Sequence, residues 1–231
     1  MIYIDAGHGG FDPGGGSNIY FKEKDLTSKI SNYQKRRFDE LGIPSILVRT
    51  NDETLSPNDR TNRIKNLGSK PSDILISNHI NNGGSKGGEV IYSVRTNKEL
   101  PTMIAKELGN NGLTIRNVYQ RFNRFGKDYY FILRDTNQNT AMIIEYGFAD
   151  NESDAIKLLY DWPKLAEAVV KAITNYYQIP YTKPKIATYI IKPGDTLYTI
   201  ANKYNTTIKS IKDINNLSSN TIYPGGILLV S

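Results

Sequence analysis

Cysteine is absent from the chain's 231 residues, so no disulfide can staple it and no thiolate can hold a metal. The redox compartment is left open. Histidine is nearly absent: His8 and His79 are the only two, and any metal would have to be held by these and by carboxylates. No apolar run approaches the roughly 18 residues of a membrane-spanning helix, so no membrane insertion is expected. Runs of five or six basic residues are missing too, which argues against nucleic acid as a partner. No basic region followed by an apolar stretch opens the chain, so no signal peptide is expected.

What remains is an ordinary globular composition, 39% hydrophobic and 23% charged, with enough length for one large domain or for a domain of about 180 residues plus a small module. The net charge of +6 is diffuse. Residues 1–180 hold 23 basic against 21 acidic side chains, 181–186 add Lys183 and Lys185, and 187–231 hold 4 against 2. Such a field suits a polyanionic partner, an anionic bacterial wall included.

The organising stretch is MIYIDAGHGG, Met1–Gly10. Met1–Asp5 reads as a strand, and Gly7-His8-Gly9-Gly10 as a turn that only glycines allow at such density. A histidine at the C-terminal end of a strand faces the crevice where open α/β sheets place ligands. His79 repeats the setting, directly after the apolar run Ile74–Ser77. Two strand-end histidines point to one shared site.

In order along the chain, a glycine loop from Gly9 to Asn18 leads into an amphipathic helix over Lys24–Leu41,. Ser45–Arg49 reads as a strand and Pro57–Leu67 as a helix with Ser56 as its cap. Glu89–Val94 is a strand, Leu100–Leu108 a helix, and the Arg-, Tyr- and Phe-rich stretch Ile115–Arg134 carries no clear period. Thr140–Tyr146 is a buried strand, followed by helices over Ser153–Tyr160 and Trp162–Tyr177. Alternating strands and helices imply an α/β fold, a mainly parallel sheet with helices on both faces. Tyr181–Ile186 is a short proline-containing linker. Residues 187–231 read as β-α-α-β: a strand at Tyr189–Lys192, helices over Thr196–Tyr204 and Thr207–Asn215, and a strand at Ile227–Val230. The expected domains are thus 1–180, a linker 181–186, and 187–231.

A hydrolytic zinc needs about three protein ligands and an open position for water. Glu23, 15 residues after His8, opens the first helix across the glycine loop and is the candidate third ligand. Glu145 sits in the apolar run AMIIEY, where a carboxylate is costly without a partner; it is the candidate general base or acid. Glu89 ranks behind it, because it begins its strand rather than ending it. Asp5, Asp12 and Asp25 are expected to support, cap or turn.

Four motifs now carry a resemblance: DAGHGG at Asp5–Gly10, EKDL at Glu23–Leu26, SNHIN at Ser77–Asn81 and IIEYGFADN at Ile143–Asn151. Together they resemble the zinc-dependent N-acetylmuramoyl-L-alanine amidases of the Amidase_3 type. The resemblance implies one Zn2+ held by His8, Glu23 and His79, catalysis by Glu145, and cleavage of the amide between N-acetylmuramic acid and L-alanine of peptidoglycan. Asn81, Glu89 and Arg134 are candidate substrate contacts; Arg134 falls where the family often has an arginine. Asp135–Thr140 departs from the family, which commonly has a proline before the glutamate strand.

The tail, with PGDTL, IANKY, INNL and IYPGG in order, is similar to a LysM module. That resemblance implies binding of N-acetylglucosamine in a groove between Gly194, Asp195, Thr196 and Leu197 on one side and Ile222, Tyr223 and Pro224 on the other. An amidase with such a tail and no signal peptide resembles a phage or prophage endolysin, made in the host cytoplasm and let out by a holin or by lysis. A mother-cell autolysin, or an inactive wall-binding scaffold, is the alternative. A monomer is expected.

Overall fold

Six segments of the chain form one mixed sheet: β1 (Ile2–Ala6), β2 (Ser45–Leu47), β3 (Ile74–Asn81), β4 (Gly88–Tyr92), β5 (Ile115–Tyr119) and β6 (Thr140–Phe148). The computed structural model describes residues 1–215 and 217–230, and the sheet belongs to the larger of two units, Met1–Tyr181. Its order is β2-β1-β3-β6-β4-β5. Four neighbouring pairs are parallel, and β4 runs antiparallel to β6.

Side chains alternate between the two faces of a strand, and both faces are covered. On one lie α1 (Glu23–Glu40), α3 (Glu99–Asn110) and α6 (Trp162–Tyr176), with α1 and α3 each packed on α6. On the other lie α2 (Pro57–Asn66) and the single turn α4 (Phe131–Arg134). Ile64, Ile132 and Leu133 of these two helices join Tyr3, Leu75, Ile91 and Ile143 in one buried cluster. Ser56 caps α2 by accepting the Asp59 N–H, as its position before a proline suggests. A further helix, α5 (Glu152–Tyr160), follows β6 and is capped by Asn151.

One expectation needs correction, and one stretch without a clear period gains an assignment. The strand over Ile74–Ser77 does not stop before His79 but continues to Asn81, because the nine-residue β6 offers it a partner past a bulge after His79. The stretch Ile115–Arg134 also has structure: β5 at one end, α4 at the other, and a bridge between Phe122 and Asp128 in the turn that joins them.

The smaller unit, from Thr182 onward, holds β7 (Ala187–Ile190), α7 (Leu197–Lys203), α8 (Ile208–Asn215) and β8 (Ile227–Val230), with β7 and β8 antiparallel. Thr196 and Thr199 form a capping box at the start of α7,. Tyr189, Leu197, Ile200, Ile211, Leu228 and Val230 make the core. Among the described residues no helix is long and apolar enough to cross a membrane.

Leu75 is fully buried at the centre of the larger sheet. Leu75→Ala is expected to cost about 2–5 kcal/mol through lost transfer energy and a cavity, read as an earlier denaturant midpoint for the larger unit.

Candidate metal centre and catalytic cleft

His8 closes β1 in the left-handed region, φ 61°, between Gly7 and the positive-φ glycines Gly9 and Gly10. For a residue with a side chain that conformation costs about 1–3 kcal/mol and needs its surroundings to hold it. They do: Thr27 Oγ1 donates to the Gly7 carbonyl at 2.9 Å, Arg60 to the His8 carbonyl at 2.8 Å, and Lys24 Nζ to the Gly10 carbonyl at 2.7 Å. Gly7 is required for space, since a Cβ there would lie 2.4 Å from the His79 ring.

Glu23 is 1% exposed at the start of α1. Its Oε1 lies 3.2 Å from His8 Nε2 and 3.1 Å from His79 Nδ1, and accepts the Ile80 N–H at 3.0 Å. Its Oε2 accepts the Gly16 N–H at 2.8 Å, and a Cβ on Gly14 would collide with it. The glycine loop therefore wraps a buried carboxylate. The two imidazoles stand edge to face with centroids 5.1 Å apart. One ligand atom from each of His8, Glu23 and His79 lies within 4.8 Å of the others, a set that could hold a metal ion.

The charges in this cluster move one another. Burial pushes the His8 imidazole down, but the Glu23 and Asp12 carboxylates outweigh it and raise it to about 9. Glu23 is held far below the carboxylate range despite burial, because both histidines bond to it. Glu145 goes the other way: burial drives it up, His79 opposes, and the result is about 7. Glu145 Oε2 is shielded from solvent and has no hydrogen-bond partner among the described residues. Buried acceptors without partners are rare and mark strain or chemistry.

His79 and Glu145 are register partners across β3 and β6, so both side chains stand on the face of Leu75 and Ile143. Glu89 is also opposite Glu145, across β4 and β6. The expectation that Glu89 lies at the wrong strand end fails because β4 is antiparallel: its N-terminal end meets the edge where parallel strands end. Glu89 is not free, however; it pairs with Arg116 and accepts from the Asn81 amide at 3.2 Å. Arg134 is turned to Asp135 at 2.9 Å and to the carbonyls of Asp128 and Tyr129, and it is not among the cleft-lining residues.

Of the supporting acids, Asp12 Oδ2 bonds to His8 Nδ1 at 2.7 Å and leaves Nε2 toward Glu23. Asp5, fully buried, pairs with Arg60 and accepts from Ser77 Oγ. Asp25 sits in the first turn of α1. Sequence reasoning missed Arg60, although an aspartate inside the apolar strand IYIDA demands a buried cation. It also missed the apolar wall opposite the histidines. Leu55, Pro57, Tyr130, Phe131 and Ile132 face His8, His79 and Glu145 across a cleft of about 200 Å³.

In the smaller unit the candidate glycan contacts divide. Gly194 has φ 85°, Asp195 accepts from the Tyr189 hydroxyl and the Lys192 N–H, and Thr196 caps α7. Leu197 is 2% exposed; as a side-chain contact it is corrected, because it packs in the core. Ile222 packs against that core too, with Tyr223 and Pro224 exposed beside it. Bonds between Ile191 and Gly225 and Gly226 hold the second loop against the end of β7.

Two outcomes follow. A histidine whose folded pKa exceeds its unfolded value stabilises below the unfolded value and loses that contribution as pH rises through the folded one. The melting temperature of chelator-treated protein should therefore fall as pH climbs from about 6.5, the free value, to about 9. Added divalent metal should reverse the trend, since metal takes the proton's place. Gly7→Ala should weaken metal binding by about 10–100-fold by displacing the His79 ring, the scale of losses seen when a ligand's support is removed, measured by calorimetric titration.

The fold and this cluster can be set beside known proteins. The Amidase_3 family model, described as N-acetylmuramoyl-L-alanine amidase, matches residues 2–175, and the LysM domain model matches residues 189–231. The sporulation-specific N-acetylmuramoyl-L-alanine amidase of Bacillus subtilis is 32% identical over 168 residues, covering 68% of this chain and 59% of that protein. Among solved structures, Cwp6 from Clostridium difficile superposes with a TM-score of 0.69 at 28% identity, over 75% of this chain and 28% of that one. The catalytic domain of the CD27L endolysin, targeting Clostridia difficile, gives 0.58 at 25% identity, over 75% and 96%. The chain belongs to the Amidase_3 family of N-acetylmuramoyl-L-alanine amidases, and a LysM domain follows its catalytic region.

Proposed function

We propose that this protein is a zinc-dependent peptidoglycan hydrolase that cleaves the amide between N-acetylmuramic acid and the L-alanine of the stem peptide. The observation that carries the reading is the placement of Glu145, with its unpartnered oxygen, in register with His79 of the His8–Glu23–His79 cluster. Two imidazoles and one carboxylate, with no thiolate in the chain, are a donor set used by hydrolytic zinc. Zinc, when bound, supplies Lewis acidity to the scissile carbonyl and brings the pKa of water to about 7.

The chain's own residues do the rest. His8 offers Nε2 because Asp12 occupies its Nδ1, and His79 offers Nδ1. Glu145, poised near neutrality, takes a proton from the attacking water and returns it to the alanine nitrogen as the C–N bond breaks. Tyr130, Phe131 and Ile132 give the substrate an apolar wall to lie against.

The LysM domain is read as binding N-acetylglucosamine of the same polymer, which raises the effective concentration of stem peptides at the cleft. The likeness to the CD27L endolysin supports a phage or prophage endolysin, made in the host cytoplasm as a monomer and released to the wall by a holin or by lysis. The likeness to a sporulation-specific amidase favours a second reading, a mother-cell autolysin.

Digestion of purified Gram-positive peptidoglycan tests the chemistry. New amino groups on N-terminal alanine should appear, vanish with chelator, return with zinc, and fall about 10²–10⁴-fold in Glu145→Gln. Wall binding without products would leave only a scaffold, and new reducing ends would mean a different bond.

A further inference from the structure

The hairpin between β5 and α4 takes no part in the chemistry above. Its turn is fixed by its own bonds. Asn123 Oδ1 accepts the Phe125 and Lys127 N–H groups, and the Tyr129 N–H reaches the Arg121 carbonyl. On this frame Phe122 and Phe125 are 55% and 70% exposed, beside the exposed cations Arg121, Arg124 and Lys127.

The cations are arranged with the rings. The Arg121 guanidinium lies 4.0 Å from the Tyr129 ring centroid and donates to the Tyr130 hydroxyl at 3.1 Å; Arg124 lies 4.7 Å from that of Phe125. Tyr130 lines the cleft, so the hairpin starts at the cleft's rim. Its one acid, Asp128, is buried and accepts from Ser93 Oγ and the Val94 N–H. None of the ion pairs among the described residues includes Arg121, Arg124 or Lys127. Three positive charges therefore face outward uncompensated, next to exposed aromatic faces.

The reaction supplies a matching ligand. Hydrolysis adds water across the lactyl amide: the lactyl carbon keeps a carboxylate, and alanine leaves with an ammonium group. An uncharged link on the glycan becomes a negative charge at every stripped position, while the released peptide gains a positive one. We propose that residues 120–129 bind the stripped glycan strand through these new lactyl carboxylates, and so hold the strand at the cleft while repelling the peptide's new ammonium end. Guanidinium groups fit carboxylates in paired hydrogen bonds, and the aromatic faces cover the sugar rings between them. The proposal rests on the amidase reading.

The experiment compares binding of the full chain to glycan strands already freed of stem peptides and to the same strands with lactyl carboxylates converted to methylamides. The acid strands should bind about tenfold more tightly, the scale of two or three exposed charge pairs, and added salt should erase the difference. Arg124→Gln/Lys127→Gln should lose the preference and Arg124→Lys/Lys127→Arg should keep it, with melting curves checking that both variants are folded. Equal binding of the two strands overturns the proposal. So does an unchanged preference in the glutamine variant, or equal affinity for poly(glycerol phosphate), which marks a general polyanion surface. Release of N-terminal alanine by the wild type is scored in parallel, so that failure of the amidase reading shows separately.

Discussion

A single buried carboxylate holds the catalytic unit's working edge together. An ionised Glu23 out of water would be strongly unfavourable without partners, and it has four: the imidazoles of His8 and His79 and the backbone N–H groups of Gly16 and Ile80. Those partners come from β1, β3 and the glycine loop, while Glu23 opens α1. Satisfying one charge thus fixes three elements and the loop. The same demand explains the glycines, since side chains at Gly7 or Gly14 would occupy the space of His79 or Glu23.

Two carboxylates near each other take opposite roles because their surroundings differ. Glu23 is saturated with donors and stays ionised. Glu145 is shielded, lacks a partner on Oε2, and lies across from a second acid, Glu89, whose charge Arg116 balances. Behind the sheet, one residue along from His79 and Glu145, Asn78 and Tyr146 share a buried network with Gln34 of α1. Alternation along the strands sends the network to the α1 face and His79 and Glu145 to the α2 face. Each strand is fixed from one side by hydrogen bonds and presents its candidate site residue on the other.

The elements that the sequence made legible are those with strong local physics. DAGHGG places His8 because only a glycine-flanked turn tolerates it, and AMIIEY exposes Glu145 as a charge out of place. Ser56-Pro57 and Thr196 announce helix starts through capping chemistry. The stretch Ile115–Arg134 was opaque because its aromatics serve two surfaces, with Ile132 and Leu133 in the core and Phe122 and Phe125 exposed, so no single period survives. Leu197 follows the capping residue Thr196 and turns its side chain into the small core, so the loop that carries it offers backbone and the side chains of its neighbours to the outside.

Sequence by itself determined the kinds of groups available. Two histidines, no cysteine, a carboxylate after a glycine loop and another in an apolar strand narrow the candidate donor set to His8, Glu23 and His79 and the candidate proton carriers to Glu145 and Glu89. Whether those groups meet was decided by tertiary structure. Register sets His79 beside Glu145, and the reversed direction of β4 brings Glu89 to the same edge. Arg60 reaches from α2 to hold Asp5 and the His8 carbonyl. Local propensity cannot fix these outcomes, because strand direction and helix placement depend on pairing and burial among residues far apart in the chain.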